Sequence, residues 1–500
     1  MEALVTIRPE LLTIHPDQWE ALKPLMWALG GVALAMIASV LRRFNPKWLV
    51  LFISLCAVLG GSIAAGIGLP LSPVYIFNEG YVVDGLANLF TILFLSSAGV
   101  TILTSFKYLD REGLQYPEYN ILILFSAIGM MLMVSAVNLI VMFIALEIMS
   151  LSVYVLVGFR RADRRSNEAS MKYFILGSAA SAILLYGIAL LYGATGTVSL
   201  RGISSFVQHN AQLSPLFVMG VGLSMVGFLF KVAAVPFHMW MPDVYEGALA
   251  PITGFMTTGL KAASFAALLR FFISLGYGKG LSFQVQDHLR DILWLCAVLT
   301  MVVGNVVALT QTNLKRMLAY SSIAHTGYLI IGIFVGAKSG QGYSGLVFYL
   351  VSYALMNLGA FAVLSAISTR GDGGLNLHNL SGLSQKHPFL AFAMAVFMLS
   401  MAGIPPTAGF YAKYLLFYSA IEAGEISIVV IGVLCSAISV YYYLRVLVCM
   451  YMKDAADSVP ITRVSAWSTL AVASMVALTV QLGVLPARMV NVAKKVVQNL

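Results

Sequence analysis

Leu139-Ile-Val-Met-Phe-Ile-Ala-Leu-Glu-Ile-Met-Ser-Leu-Ser-Val-Tyr-Val-Leu-Val-Gly-Phe159 is an apolar run with a single carboxylate, Glu147, near its middle. About 20 consecutive apolar residues suffice for an α-helix to cross a bilayer. The run lacks the period-two alternation of a half-buried strand. Similar runs recur almost end to end, at 25–43, 48–69, 84–106, 120–137, 139–159, 170–193, 213–238, 249–274, 288–310, 317–337, 343–368, 388–420, 427–452 and 464–486. Because an open sheet edge cannot sit in lipid, the pattern predicts an all-α polytopic membrane protein with about 14 transmembrane helices. The narrowest division lies between the fourth and fifth runs, where Asn138 alone interrupts the apolar sequence.

Composition agrees with that reading. Of 500 residues, 60% are hydrophobic and 10% charged, against about 25% charged in soluble chains, which argues against a soluble enzyme. The net charge of +9 reads as membrane orientation and not as nucleic-acid binding, since basic residues of membrane proteins gather in cytoplasmic loops. With the amino terminus outside, the cytoplasmic loops hold 15 of the 30 Lys and Arg residues. These are Arg42, Arg43, Lys47, Lys107, Arg111, Arg160, Arg161, Arg164, Arg165, Lys315, Arg316, Arg370, Lys386, Lys453 and Arg463. An even number of helices then puts both termini on the outer side.

The same sequence offers no visible place for redox chemistry. Cys56, Cys296, Cys435 and Cys449 fall inside apolar runs without C-x-x-C spacing, so iron–sulfur, zinc and disulfide readings have no basis and no metal site is expected. Gly276-Tyr-Gly-Lys-Gly280 is glycine-rich, but no strand precedes it as a phosphate cradle requires. No cofactor-binding residues are expected for NADH, flavin or a metal cluster. The first 24 residues hold Pro9, Pro16 and several acids with no basic segment leading into a cleavable apolar one, so no signal peptide is expected.

Residues 1–500 read as one membrane domain, with no linker or charge block marking a soluble unit. Two spans carry helix breakers at bilayer depth: the seventh at Pro236 and the twelfth at Gly403-Ile-Pro-Pro-Thr-Ala-Gly409. Interrupted helices in corresponding positions of two halves mark transporter sites, because unwound backbone needs a polar cavity. The breaks lie five helices apart. If 120–274 and 288–452 are two repeats of five helices, the odd number gives them opposite orientations, with helices one to three in 1–119 and the last in 464–486.

A charged residue at a helix centre costs roughly 2.5–3.5 kcal/mol on insertion scales, so such groups face a hydrated interior and usually have a role. Four stand out: Glu147, Lys231, Lys261 and Lys413. Ser150 and Tyr154 share a face with Glu147, and Gly220, Ser224, Gly227 and His238 accompany Lys231. Thr253, Thr257 and Ser264 recur around Lys261 at helical spacing. Lys413 follows the Gly403–Gly409 break, whose freed carbonyls can share its ammonium, while snorkelling outward is its alternative. Ser321, Ser322, His325 and Tyr328 form a polar stripe on the tenth span, and His325 fits both a proton relay and a hydrogen-bonded core histidine. His238 and Lys172 are further candidate relays, Lys172 lying beside the basic Arg160–Arg165 loop. Arg270 and Arg445, near helix ends, are expected to reach the interface in structural roles. A carboxylate moving relative to a buried lysine changes the lysine's proton affinity, which describes gated conduction and not bond-making catalysis.

Pro236-Phe-His-Met-Trp-Met-Pro-Asp-Val-Tyr-Glu-Gly-Ala-Leu-Ala-Pro-Ile-Thr253 resembles the signature of the antiporter-like membrane subunits of respiratory complex I. Supporting segments are Asn167-Glu-Ala-Ser-Met-Lys-Tyr-Phe174, Thr258-Gly-Leu-Lys-Ala-Ala-Ser-Phe-Ala-Ala-Leu-Leu-Arg270, Ser321-Ser-Ile-Ala-His-Thr-Gly-Tyr328, Asn379-Leu-Ser-Gly-Leu383 and Gly403-Ile-Pro-Pro-Thr-Ala-Gly-Phe410. The resemblance implies two inverted five-helix repeats with broken seventh and twelfth helices. It also implies proton translocation driven by electron transfer from NADH to quinone in other subunits. NADH, FMN, iron–sulfur clusters and quinone are then expected in those membrane and peripheral partners, within a bacterial inner membrane. A cation/proton antiporter without electron transfer is the competing class, and a scaffold whose buried charges hold neighbouring subunits together is a third. Residue by residue, the resemblance carries the fifth-helix glutamate to Glu147, the seventh- and eighth-helix lysines to Lys231 and Lys261, and the twelfth-helix lysine to Lys413. Leu249 departs from the family pattern, where proline is common, which leaves the start of the eighth helix open. The short sequence after the fourteenth run contrasts with the long lateral helix of the largest such subunit.

Overall fold

The computed structural model describes residues 16–40, 46–68, 72–210, 212–277, 281, 283–336, 338–339, 341–372, 375–454 and 464–498. Arg42, Arg43, Arg463, residues 278–280 of the glycine-rich stretch and the first 15 residues lie outside them. Helices α1 (Pro16–Val40) and α2 (Pro46–Ile67) lead to a two-stranded antiparallel hairpin, β1 (Val74–Ile76) and β2 (Tyr81–Val83). There follow α3 (Gly85–Glu112), α4 (Glu118–Ser135), α5 (Leu139–Val157), α6 (Arg164–Thr195), the short α7 (Leu200–His209), α8 (Pro215–Lys231) and α9 (Trp240–Gly247). Next come α10 (Ala250–Phe255) and α11 (Lys261–Ser274), which are continuous through a π-helical turn, Met256–Leu260. The chain continues as α12 (Phe283–Thr310), α13 (Leu314–Gly336), α14 (Gly342–Ile367), α15 (Leu383–Lys386), α16 (Pro388–Ala402), α17 (Ala408–Glu422), α18 (Ile426–Met452), α19 (Ala466–Val484) and α20 (Ala487–Gln498).

Among the described residues, twelve helices are long and apolar enough to cross a membrane, counting Ala250–Ser274 as one. The two remaining expected spans are the ones read as broken, and they are divided into α8 with α9 and α16 with α17. Polar residues set the boundaries. Asn138 is the N-cap of α5, its side-chain oxygen accepting from the Ile140 and Val141 amides at 2.9 and 3.4 Å, so one asparagine suffices to end one span and begin the next. Asp84 caps α3 through Ala87 N at 2.8 Å, Asp163 caps α6 through Arg165 N at 3.0 Å, and Ser214 caps α8 ahead of Pro215.

Burial sorts the helices into a core and a rim. The Ala250–Ser274 helix, α13 and α14 are buried along nearly their whole length, whereas α1, α2, α6, α12, α18 and α19 bury less than half of theirs. Ile140, Ile144, Leu151 and Val155 form an exposed apolar stripe on α5, and α18 carries another. Such surfaces suit lipid or neighbouring membrane helices. The rim helix α6 packs against α8 through small residues. A Cβ at Gly227 would stand 2.6 Å from Leu184 Cβ, and one at Gly187 would stand 2.6 Å from the Ser224 amide, so backbones approach closely here. The C-terminal α20 has no counterpart among the expected spans. It is amphipathic, buries Ala493 and Val496, and lies against α3 and α14.

Both halves carry the same local construction. The Leu139 amide donates to Val198 O and the Leu200 amide to Val137 O; likewise the Leu314 amide donates to Leu375 O and the Leu377 amide to Thr312 O. In each half an asparagine, Asn138 or Asn313, thus pairs with the loop that returns toward the broken helix.

In the second break, Gly403 has φ +87°, a conformation that side chains with a Cβ resist. Gly409 packs so tightly that a Cβ would stand 1.9 Å from the Ser400 carbonyl oxygen, while its own amide donates to Ser400 Oγ at 3.1 Å. The substitution Gly409→Ala is therefore expected to force α17 away from α16 and destabilise the protein by about 1–3 kcal/mol. A lowered thermal midpoint in detergent would register it, and an unchanged midpoint would contradict the packing described.

Candidate functional site

Each break leaves backbone groups without helical partners, and polar side chains satisfy them. At the end of α8, Thr326 Oγ1 donates to Val232 O at 2.8 Å, the Val235 amide donates to Thr300 Oγ1 at 2.9 Å, and Trp240 Nε1 donates to Phe230 O at 3.0 Å. Lys231, the last residue of α8, is buried; its Nζ donates to Ser150 Oγ at 2.9 Å and Tyr154 Oη at 3.3 Å and lies 5.7 Å from the Tyr154 ring centre. Glu147, on the same helix as those hydroxyls, is only half-buried and accepts from Ser181 Oγ at 2.5 Å. No ion pair joins Glu147 to Lys231; Ser150 and Tyr154 hold the lysine instead.

Lys261 begins α11 directly after the π-helical turn and is buried. Its Nζ donates to Ser322 O at 2.6 Å and to Ser322 Oγ at 2.5 Å, and it lies 5.1 Å from the Tyr353 ring centre. The nearby hydroxyls of Thr253, Thr257 and Ser264 bond to backbone carbonyls and not to the lysine, as Ser and Thr inside helices commonly do. From Ser322 a hydroxyl network runs onward. Tyr353 Oη donates to Ser322 Oγ at 2.7 Å, the Tyr353 ring packs on His325, and His325 joins Tyr349 Oη through Nδ1 at 2.6 Å and Tyr443 Oη through Nε2 at 3.2 Å. Tyr443 Oη also bonds Ser321 Oγ.

Lys413 is buried, so the snorkelling alternative does not apply. Its Nζ donates to Ala402 O, a carbonyl freed by the second break, at 3.0 Å, and to Ser436 Oγ at 2.8 Å. The Tyr328 ring centre lies 5.3 Å from it, and the Tyr328 hydroxyl accepts from Asn305 Nδ2 at 3.4 Å. Three lysines from three breaks or distortions in helical structure thus lie along one belt, with His325 in the polar network that begins at Lys261. Among the described residues, all three have only hydroxyl and carbonyl oxygens within bonding distance, each with an aromatic ring beside it.

The other expected groups are placed differently. Lys172 sits at the rim, paired with Glu168 at 2.8 Å and Asp243 at 3.0 Å, and Arg316 reaches Asp243 at 2.8 Å and Glu246 at 3.0 Å. His238 is half-buried between α8 and α9, and no hydrogen bond joins it to Glu147 or to a lysine. Arg270 does not reach the interface as expected. It is buried, donating twice to Asp84 at 2.8 Å and also to Val134 O, because a partner close enough to fix it lies across the fold. Arg445 remains structural, donating to Leu309 O at 3.0 Å and to Gln311 O at the end of α12.

Residues 136–439 match the family described as NADH:quinone oxidoreductase/Mrp antiporter, TM. The chain is 45% identical over 469 residues to an NADH-quinone oxidoreductase subunit N of Trichlorobacter lovleyi, an alignment that covers 94% of each protein. The chain belongs to the NADH-quinone oxidoreductase subunit N family. A chain of the respiratory complex I from Thermus thermophilus with bound aureothin superposes with a TM-score of 0.79 at 35% identity, covering 95% of this chain and 99% of that one. A chain of the Mrp complex from Dietzia superposes at 0.83 with 21% identity, covering 96% of this chain and 97% of that one, a likeness of fold alone.

For this subunit N relative, the sequence reading missed Ser181, Tyr349, Tyr353, Ser436 and Tyr443, which complete the polar belt. Tyr349 and Tyr353 stand one helical turn apart in an apolar run, a spacing that marks one face. Lone hydroxyls in such a run otherwise carry little signal.

Proposed function

We propose that this chain is a membrane-arm subunit of NADH-quinone oxidoreductase that moves protons across the bilayer. The movement is coupled to electron transfer from NADH to quinone in other subunits, so the chain is an enzyme component only as part of that complex. The observation that carries this reading is a contrast among buried cations. Arg270, which ties helix ends together, is paired with Asp84 at 2.8 Å. Among the described residues, Lys231, Lys261 and Lys413 form no ion pair and are held by neutral groups. A buried lysine without a fixed counter-charge can lose its proton at modest cost, and hydroxyls beside it can accept or pass one.

In this reading Glu147 modulates Lys231, Lys261 connects the halves through Ser322 and His325, and Lys413 is the terminal site. The paired constructions around Asn138 and Asn313 support two inverted repeats, 120–274 and 288–452. The basic loops support a cytoplasmic face opposite both termini in a bacterial inner membrane. NADH, FMN, iron–sulfur clusters and quinone belong to partner subunits. The Lys261→Ala variant tests the reading. In the assembled complex, reconstituted in liposomes, proton transport and coupled quinone reduction are expected to fall together by about an order of magnitude. Normal transport by an assembled Lys261→Ala complex would remove Lys261 from the pathway.

A further inference from the structure

A second polar network, separate from the lysine belt, lies where α3, the loop after α5 and the 370–372 turn meet. A cavity of about 780 Å³ opens there, and Glu112, Arg160, Asp163, Arg370 and Gly371 line it. Glu112 is buried to 8% exposure; its carboxylate accepts from the Gly371 amide at 3.0 and 3.2 Å and pairs with Arg160 at 3.1 Å. The same guanidinium donates to Tyr108 Oη at 3.1 Å, and Tyr108 donates to Asp372 at 2.6 Å. Asp372 in turn accepts from Lys315 Nζ at 2.8 Å, and Lys315 also donates to Ala248 O at 2.5 Å. Lys315 and Ser322, the partner of Lys261, lie on one helix seven residues apart. Two helical turns put them on the same face about 10 Å apart.

We infer that Glu112, Tyr108, Asp372 and Lys315 form the proton-uptake route from this cavity to Lys261, an inference that rests on the proton-carrying role proposed for Lys261. The order of groups balances protons at every step. Glu112 takes a proton from cavity water. Tyr108 passes its hydroxyl proton to Asp372 and is reprotonated from Glu112 through a bridging water, since Glu112 and Tyr108 share Arg160 as a donor and no direct hydrogen bond. Lys315 releases a proton toward Ser322 and is reprotonated by Asp372. Arg160 keeps its charge throughout; it positions Glu112 and Tyr108 by bonding both. The last stretch, from Lys315 to Ser322, exceeds one hydrogen bond and needs bridging water. A purely structural clamp would not require a tyrosine hydroxyl donating to Asp372 beside the Glu112–Arg160 pair, nor a cavity that reaches Glu112.

Tyr108→Phe keeps the ring and removes the transferring hydroxyl, and Asp372→Asn removes the acceptor. Each is measured in the whole complex in liposomes, against pH on the cavity side. The uptake route predicts proton transport lowered by about an order of magnitude in Tyr108→Phe. It also predicts partial recovery at acid pH on that side, where water protonates the inner groups more often, and retention of transport by Asp372→Glu. Assembled Tyr108→Phe complex with normal transport and an unshifted pH profile overturns the route. Failure of both Tyr108→Phe and Asp372→Asn to assemble also overturns it, in favour of a clamp. Lys261→Ala is run alongside. If that variant loses transport while Tyr108→Phe does not, the pathway stands and only this route fails; if neither loses transport, the role of Lys261 fails first.

Discussion

The Lys231→Ala complex is expected to assemble normally, with proton transport and coupled quinone reduction lowered together by one to two orders of magnitude. Assembly should survive because the substitution removes a cost. An ammonium at bilayer depth carries a penalty of roughly 2.5–3.5 kcal/mol. No carboxylate is left unpaired when it goes, since Lys231 is bound only to Ser150 and Tyr154. Ser150 retains its bond to Leu146 O at 2.7 Å. Transport should fail because the α8–α9 break then offers Glu147 no proton-binding group to act upon. Lys231→Arg separates a mobile proton from a fixed charge: a guanidinium stays protonated at any working pH, so the arginine variant should be blocked as severely as the alanine one. Proton transport restored by arginine would show that Lys231 supplies only positive charge. The two variants are compared by their rates of proton transport and of quinone reduction, with subunit content measured on the same preparations.

The polar features that decide this fold were open to sequence reading because lipid makes them expensive. Glu147, Lys231, Lys261 and Lys413 stand out against apolar neighbours, and the breaks at Pro236 and 403–409 fall where the helices are interrupted. Asn138 shows the same economy, dividing an apolar stretch by capping α5. What remained hidden depends on contacts between distant segments. Nothing local in Arg270 distinguishes a residue that reaches the membrane surface from one that meets Asp84 across 186 positions. Tyr349, Tyr353 and Tyr443 were hidden for another reason: tyrosine is tolerated in buried apolar helices, so its presence there signals little until a partner is seen. That Ser150 and Tyr154, and not Glu147, bond the Lys231 ammonium is likewise a matter of three-dimensional geometry. Helix α20 was legible but unread. Its alternation of Val and Ala with Lys and Arg after Pro486 is an amphipathic helical pattern.

Arg270→Ala should have the largest effect on stability of any single change to the chain. Arg270 and Asp84 expose only 6% and 4% of their side chains, and truncating one partner leaves the other's charge buried and unpaired, a loss of about 3–5 kcal/mol. More is at stake than the pair. Asp84 Oδ1 also accepts from the Ala87 amide as the N-cap of α3, and Arg270 donates to Val134 O at the end of α4. One ion pair therefore ties the start of α3 to the ends of α4 and α11. Arg270→Ala is expected to abolish accumulation of the assembled subunit, read as subunit content of purified membranes. Asp84→Asn keeps an oxygen for the α3 cap while removing the countercharge, so it should be damaging but less so than Asp84→Ala. The double variant Asp84→Asn with Arg270→Leu removes both charges and retains the cap, so it should recover much of the loss. If the double variant is as depleted as Arg270→Ala, the destabilisation comes from lost packing at Val134 and not from an unpaired buried charge.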